Sequence, residues 1–333
     1  MALRWGILGT SFISDVVGRA IAASPKSRIH AVFGRDAARR QAFADKFDIP
    51  ARYQTIQELI DDPDVDVVYV GLPSHLHSEA VVAAAKRGKP ILSEKSLATT
   101  MQDSHAMMEA VRAAKVFFVE GFMYLSHPLM EKLVEVLRSG ALGTVRGVSG
   151  YYAANIWKKA NPLGMGTIYN LGCYPVSLLH LVLQTAAGPD VFKTRQLCGL
   201  GNVVEEGGVA HVRDASLTVR FGSGVLATIQ STDSFGNDYG FSIQGDKAVL
   251  RFKTNPWLPV AGENSFEIKT YGGATETISI SAEWDAFGYQ VKRVEDCIAA
   301  GVKEAPRPSP TWQDSLEIMG MLTEWEADIK NRT

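Results

Sequence analysis

The chain has 333 residues, with 34 Lys and Arg against 36 Asp and Glu, a formal net charge of −2 and 46% hydrophobic residues. At roughly 150 residues per domain, this length predicts two domains, each large enough to bury a core without disulfides or metal. A near-neutral chain with no long run of one sign offers no field for a polyanion, which argues against nucleic acid and membrane surfaces and for a small-molecule ligand. The three cysteines, Cys173, Cys198 and Cys297, are too dispersed for a zinc ribbon, and their odd number argues against a disulfide framework. With no export-type start and no run of ~18 apolar residues, the expected compartment is the cytoplasm.

The first third alternates short β-branched runs with helical periods. Leu3 to Leu8, Ile29 to Phe33, Val65 to Gly71, Pro90 to Ser93 and Val116 to Val119 read as strands. Ile13 to Ala23, Ala37 to Phe47, His77 to Arg87 and Met101 to Ala114 read as helices between them. That alternation predicts βαβ units, hence an α/β Rossmann domain with a doubly wound parallel sheet over residues 1–121. Beyond it a helix from Pro128 to Ser139, an extended segment from Val145 to Ala154 and a helix from Cys173 to Gln184 lead into strand after strand up to Ile280. Val209 to Phe221, Val225 to Thr232, Gly240 to Gln244, Ala248 to Phe252 and Ser265 to Tyr271 carry no crossover helices. Residues 122–333 are therefore expected to form an α+β domain with a large open, mainly antiparallel sheet. Amphipathic patterns at Tyr289 to Ala299 and Trp312 to Ile329 are expected to fold back over the domain junction.

The first strand runs into Gly9-Thr10-Ser11-Phe12-Ile13-Ser14 and then a helix, the turn that brings backbone N–H groups against a pyrophosphate. Gly9, Ser11 and Ser14 occupy the three places of the G-x-G-x-x-G fingerprint, both replacements being small. The second strand ends in Gly34-Arg35-Asp36 with Arg39 a turn later. Arg35 and Arg39 fit a clamp on the 2′-phosphate of NADP; the other reading makes them solvated arginines and gives Asp36 to the ribose of NAD. NADP is the expected cofactor and NAD the alternative.

Val70-Gly71-Leu72-Pro73-Ser74-His75-Leu76-His77, followed by Gly88-Lys89-Pro90-Ile91-Leu92-Ser93-Glu94-Lys95, resembles the glucose–fructose oxidoreductase/inositol dehydrogenase (Gfo/Idh/MocA) family. Arg4-Trp5-Gly6 at the start, Glu120-Gly121-Phe122-Met123-Tyr124, Gly164-Met165-Gly166 and Gly172-Cys173-Tyr174 extend the likeness over essentially the whole chain. They resemble most the branch with dimeric dihydrodiol dehydrogenase, glucose–fructose oxidoreductase and NADP-dependent xylose dehydrogenase. The resemblance implies that Leu72, Pro73, His77 and Glu94 line the cofactor and that Lys95, from a Glu-Lys-Pro motif, lies beside substrate and nicotinamide ribose. Ser96 stands where the family has proline.

It further implies that Asn170 takes the place of an aspartate and Tyr174, four residues on, that of a histidine. On a regular helix those two would share a face. An asparagine orients a hydroxyl but carries no charge. Hydride transfer to nicotinamide needs a base for the hydroxyl proton, and an ammonium group stabilises a phenolate, so Tyr174 is expected as acid/base with Lys95 as its electrostatic partner. The bland reading is a core tyrosine with a wet tip and a surface lysine.

Tyr124, Tyr151 and Trp157 are substrate candidates by position, and His180, ~240° around the helix from Tyr174, is expected off the site face. His75 and His77 lack a third ligand at metal spacing, so no metal is expected. The expected substrate is a sugar, polyol or cyclic diol. The resemblance also implies a homodimer or homotetramer through the second-domain sheet. The alternatives are a nucleotide-bound regulatory protein that has lost turnover, and a glycoside-eliminating enzyme that uses transient oxidation.

Overall fold

The computed structural model describes residues 2–160 and 164–332. These fall into two units: one runs to Met123 and takes in Ala286–Leu316, the other holds Tyr124–Asp285 and the chain from Glu317 onward.

The first unit begins with β1 (Leu3–Leu8), α1 (Phe12–Ala23), β2 (Ser27–Phe33), α2 (Ala37–Phe47), β3 (Ala51–Tyr53) and α3 (Ile56–Asp61). It continues with β4 (Val67–Val70), α4 (His77–Lys86), β5 (Ile91–Ser93), α5 (Met101–Ala114) and β6 (Phe118–Glu120). All six strands pair in parallel in the order β3-β2-β1-β4-β5-β6. Every residue of β4, β5 and β6 is buried, as a sheet covered on both faces requires. The order reverses between β1 and β4, and at such a switch point the loops leaving the strands diverge and open a crevice. The spacing had not indicated β3 or α3. Both are short: β3 has three residues and α3 six, opened by a Thr55/Glu58 capping box, with an apolar stripe of Ile56, Leu59 and Ile60 only one turn long.

The second unit opens with α6 (Pro128–Ser139), β7 (Val145–Ala154) and α7 (Trp157–Ala160). A π-turn over Ile168–Gly172 then leads into α8 (Cys173–Ala187), which is buried on every side from Cys173 to Leu183. Seven strands follow: β8 (Arg195–Glu206), β9 (Val209–Phe221), β10 (Leu226–Thr232), β11 (Asn237–Gly245), β12 (Ala248–Phe252), β13 (Gly262–Thr270) and β14 (Thr275–Ala282). With β7 they form one sheet, β14-β13-β12-β11-β7-β10-β9-β8, antiparallel except for the β7/β10 pair. In β10, Ala227, Ile229 and Ser231 are buried while Thr228 and Gln230 are exposed, so one face is packed and the other is bare in the chain. β8 escapes a propensity reading because Gly199 and Gly201 interrupt it. A Cβ at Gly199 would lie 2.8 Å from the Trp325 ring, and one at Gly201 would lie 2.7 Å from the Asp214 carbonyl oxygen.

The last helices are α9 (Ala286–Ala299) and α10 (Trp312–Lys330). A single cut after residue 121 therefore misplaces α9: Val291, Val294 and Cys297 belong to the same core cluster as Trp5, Val17 and Ile21. Apolar burial against α1 decides its unit, not its place in the sequence.

Candidate active site

At the nucleotide end, Gly9 has φ +110°, and a Cβ there would sit 2.6 Å from the Gly71 carbonyl oxygen. Only glycine lets the ends of β1 and β4 close in this way. Ser11, in the second fingerprint place, caps α1: its Oγ accepts from the Ser14 N–H at 3.3 Å and donates to the Gly71 carbonyl at 3.4 Å. Ser14, in the third place, is fully buried. Its room comes from the opposite strand, since a Cβ on Gly71 would lie 2.6 Å from Ser14 Oγ. Thr10 and Ile13 are half-buried, and Phe12 is 61% exposed beside the helix start.

Gly34 packs against Thr10, with a Cβ there falling 2.9 Å from Thr10 Cγ2. Asp36 caps α2, its carboxylate accepting from the Arg39 N–H at 2.9 Å, and that bond holds it below the usual carboxylate range. Arg35 and Arg39 are exposed. The half-buried Arg40, not singled out from the sequence, donates to the Gly34 carbonyl. Its signal was available: one position beyond Arg39, it completes a basic cluster at the end of β2.

Leu72 and Pro73 are half-buried beyond β4. His77 is fully buried and stitches two loops together. Its Nε2 lies 2.8 Å from the Leu72 carbonyl oxygen, and its Nδ1 lies 3.1 Å from that of Ser96. Burial lowers its pKa. Glu94 is a bracket: Tyr69 OH donates to its Oε1 at 2.9 Å and the Lys95 N–H to its Oε2 at 3.3 Å. Burial raises its pKa. Lys95 is half-buried, and the Lys95–Ser96 peptide bond is cis.

Glu120, paired in register with Ser93, was not singled out as a site residue. It is 3% exposed, and burial pushes its carboxyl up to about 8. The Ser315 hydroxyl and Leu97 amide lie beside it, with Glu94 and Lys95 as charged neighbours, and its Oε2 has no hydrogen-bond partner among the described residues.

In the second unit, Asn170 lies in the π-turn and Tyr174 in the first turn of α8, so the i, i+4 rule of a regular helix does not relate them. Asn170 Nδ2 donates to Asp233 Oδ2 at 2.7 Å. Tyr174 is 8% exposed, inside a shell of rings: Tyr152 at 5.5 Å, Tyr124 at 5.9 Å and Trp257 at 6.3 Å between centroids. Tyr124 supports that turn, its hydroxyl lying 3.1 Å from the Tyr174 carbonyl oxygen and 2.7 Å from Ser177 Oγ.

Tyr151 points the other way. Strand alternation sends Tyr152 to the packed face, where burial pushes its phenol up to about 12, and leaves Tyr151 37% exposed. Tyr151 lines an open depression of about 800 Å³ with Leu200, Gln230 and Phe235. Trp157 Nε1 donates to Glu206 Oε1 at 2.9 Å, and its ring meets that of the buried His211 edge-on at 6.3 Å. His180 turns away from the ring shell, as the helical wheel indicates, its Nε2 lying 2.8 Å from Glu317 Oε2. Tyr152, Trp257, Asp233 and His211 had no short-range signal in the sequence.

A parallel sheet with a glycine turn at its switch point defines a dinucleotide-binding unit, and the open, mainly antiparallel sheet a separate α+β unit. Residues 3–122 match the oxidoreductase family with an NAD-binding Rossmann fold, and residues 130–251 match the GFO/IDH/MocA C-terminal domain. The chain belongs to the Gfo/Idh/MocA family and is an NAD(P)-binding oxidoreductase. Among similar proteins, trans-1,2-dihydrobenzene-1,2-diol dehydrogenase of Bos taurus is 28% identical over 323 residues, covering 92% of this chain and 91% of its own. The same enzyme of Xenopus tropicalis is 27% identical over 317 residues, with 92% of each chain covered. The fold matches a 3-ketoreductase from Actinomadura kijaniata solved with NADP, at TM-score 0.82, 21% identity, and 99% and 98% of the two chains. It also matches aldose-aldose oxidoreductase from Caulobacter crescentus, at TM-score 0.83, 22% identity, and 100% and 99% of the two chains. Among the described residues, no helix is long and apolar enough to cross a membrane.

Proposed function

We propose that the protein is an NADP-dependent oxidoreductase that moves a hydride between nicotinamide and a carbinol or carbonyl carbon of a sugar, polyol or cyclic diol in the cytoplasm. The observation that carries the reading is Tyr174: a phenol in the first turn of α8, nearly dry and surrounded by rings, at the place where the resemblance implies the acid/base. The diol and sugar oxidoreductases among its relatives support the substrate class.

The residues at the nucleotide end fit a dinucleotide. The Gly9 turn admits a close approach to Gly71 that a Cβ would block, the α1 N-terminus carries the positive end of its dipole, and Arg35, Arg39 and Arg40 follow one another at the end of β2, where a 2′-phosphate would lie. Because Asp36 is engaged as the α2 cap, the arginines favour NADP over NAD. Bound cofactor supplies the hydride acceptor or donor. Tyr174 takes the hydroxyl proton on oxidation and returns it on reduction, Lys95 supplies the positive charge that favours its phenolate, and Asn170 orients the substrate hydroxyl. Titrating the purified protein with NADP and NAD, then following nicotinamide absorbance with sugars, polyols and trans-diols, tests this reading. Tighter NADP binding with turnover of one class is the expected result; binding of neither cofactor overturns it.

The second unit's bare sheet face carries exposed Tyr151, Leu200 and Phe235, and a second copy of the chain is the occupant that would cover them. Light scattering should give a dimer or tetramer. A monomer at micromolar concentration rejects the assembly without touching the catalytic reading.

A further inference from the structure

Lys95 follows a strand whose neighbour ends in a buried acid. Glu120, the last residue of β6, pairs in register with Ser93 at the end of β5. The two strand ends are pressed together just beyond that pair: the Gly121 N–H donates to the Ser93 carbonyl at 2.7 Å, and a Cβ on Gly121 would lie 3.3 Å from Glu94 Cα. Glu120 therefore sits against the segment that carries Lys95, and Lys95 is its cationic neighbour. It is 3% exposed, and its Oε2 has no hydrogen-bond partner among the described residues. A buried carboxylate with one oxygen unbonded is costly, so the group keeps its proton. Burial accordingly pushes it up to about 8.

We propose that Glu120 is a positioning residue that keeps the charge of Lys95 available to the reaction: as a neutral acid it leaves the ammonium uncompensated on its side, and on ionising it draws that charge to itself. This rests on the reading of Lys95 as the partner of the Tyr174 phenolate. The groups around Glu120 leave the effect to this pair. Glu94, its other charged neighbour, is engaged by Tyr69 OH of β4 and the Lys95 N–H. The start of α10 offers the Ser315 hydroxyl, while Asp314 beside it accepts from Arg307 Nη2 at 2.7 Å. On the far side of Leu97, whose amide lies beside Glu120, His77 of α4 meets the carbonyl oxygen at 3.2 Å, and burial lowers the His77 pKa, away from the range in which Glu120 titrates.

The test follows the parent, Glu120→Gln and Ser315→Ala from about pH 7 to about pH 9 with two measurements. The first needs no turnover: each protein is pulse-labelled with acetic anhydride, and acetylation of Lys95 relative to the exposed lysines is read by mass spectrometry. At the lower pH the parent and Glu120→Gln should label alike. At the upper pH the ionised parent should hold the Lys95 proton and label on the order of threefold to tenfold more slowly than Glu120→Gln. The second measurement is oxidation of the identified substrate. Tyr174 and the cofactor are common to all three proteins, so the kcat/KM ratio of Glu120→Gln to the parent isolates Glu120. That ratio should rise from about one to on the order of fivefold to tenfold across the range. Ser315→Ala takes away a hydroxyl that favours the carboxylate, and should carry both transitions to higher pH.

A residue that served packing alone would give ratios that do not change with pH. Lys95 labelling that is the same in the parent and Glu120→Gln at the upper pH overturns the proposal. If Glu120→Gln does not fold, labelling in Ser315→Ala that follows the parent at every pH overturns it instead. A labelling difference in an active enzyme whose kcat/KM ratio stays at one also overturns it, because the charge then does not reach the reaction. Slowed Lys95 labelling in the parent at the upper pH, without turnover of any sugar, polyol or diol, sinks the catalytic reading and keeps the coupling of Glu120 to Lys95.

Discussion

The two ends of the proposed chemistry are built from different materials. At the nucleotide end the contacts that define the site all end on backbone: the Gly9 turn against the Gly71 carbonyl, the Ser11 hydroxyl on the Ser14 N–H, and the His77 ring on the Leu72 carbonyl. At the α8 start they are made by side chains, namely the rings around Tyr174 and the Asn170–Asp233 pair. A backbone site tolerates exchange of its small residues as long as room remains, which is how Ser11 and Ser14 stand in two glycine places. A side-chain site has no such slack, because the chemistry is carried by the atoms that would be exchanged. Substitutions should therefore read as changes of affinity or stability at the first end and of turnover at the second.

Tyr174→Phe should produce the largest effect. Phenylalanine keeps the ring in its shell but cannot move a proton, so kcat should fall ~10²–10⁴-fold while NADP affinity stays near the parent value. Stopped-flow and steady-state rates on the identified substrate measure this; an unchanged kcat moves the acid/base role to another residue.

Glu120→Gln asks what lies beneath the nucleotide end, and the sign follows from linkage. The folded carboxyl titrates near 8, above its ordinary value of 4.5, so its contribution to stability is fully present below that value and is lost as pH rises toward 8. Gln, which copies the protonated acid, removes the loss. The variant should match the parent near pH 4.5 and exceed it at about pH 8 and above by on the order of a few kcal/mol. Urea unfolding across that range checks it, and a constant difference at all pH values rejects the raised carboxyl.

Arg35→Asp should be felt in affinity alone. It replaces a cation facing the expected 2′-phosphate with a like charge, so NADP should weaken roughly tenfold or more relative to NAD. Equal losses for both nucleotides in fluorescence titrations would assign the phosphate to Arg39 and Arg40.

The same contrast explains what the sequence could reveal. Alternating strands and helices, the Gly9 turn and the basic end of β2 are local patterns, and from them the Rossmann unit and its cofactor are legible. The second sheet was legible as a class, although β8 was hidden by glycines that serve the packing of Trp325 and the approach of Asp214. At the α8 start only the motif residues Asn170 and Tyr174 could be read. The π-turn changes how they relate, strand alternation exchanges Tyr151 for Tyr152, and Asp233 and Trp257 reach the site across long stretches of chain. No spacing rule reports partners brought together by the tertiary fold.

The smallest effect sharpens the comparison most, because it concerns a fingerprint position where a glycine is expected and absent. If the third glycine place exists only to admit the close approach of α1 to the sheet, then Gly71 already supplies the room that Ser14 needs. Gly71→Ala would bring a Cβ to 2.6 Å from Ser14 Oγ and to 2.6 Å from the Tyr69 ring, and should cost about 1–3 kcal/mol in unfolding free energy. Ser14→Gly restores the fingerprint but gains nothing there: NADP affinity should stay within about twofold, and the added helix entropy should cost only about 0.5 kcal/mol. Combining the two should recover part of the Gly71→Ala loss, since the hydroxyl clash is relieved while the Tyr69 contact remains. A marked tightening of NADP in Ser14→Gly would mean that Ser14 obstructs the phosphate itself, and that the first end, too, depends on its side chains.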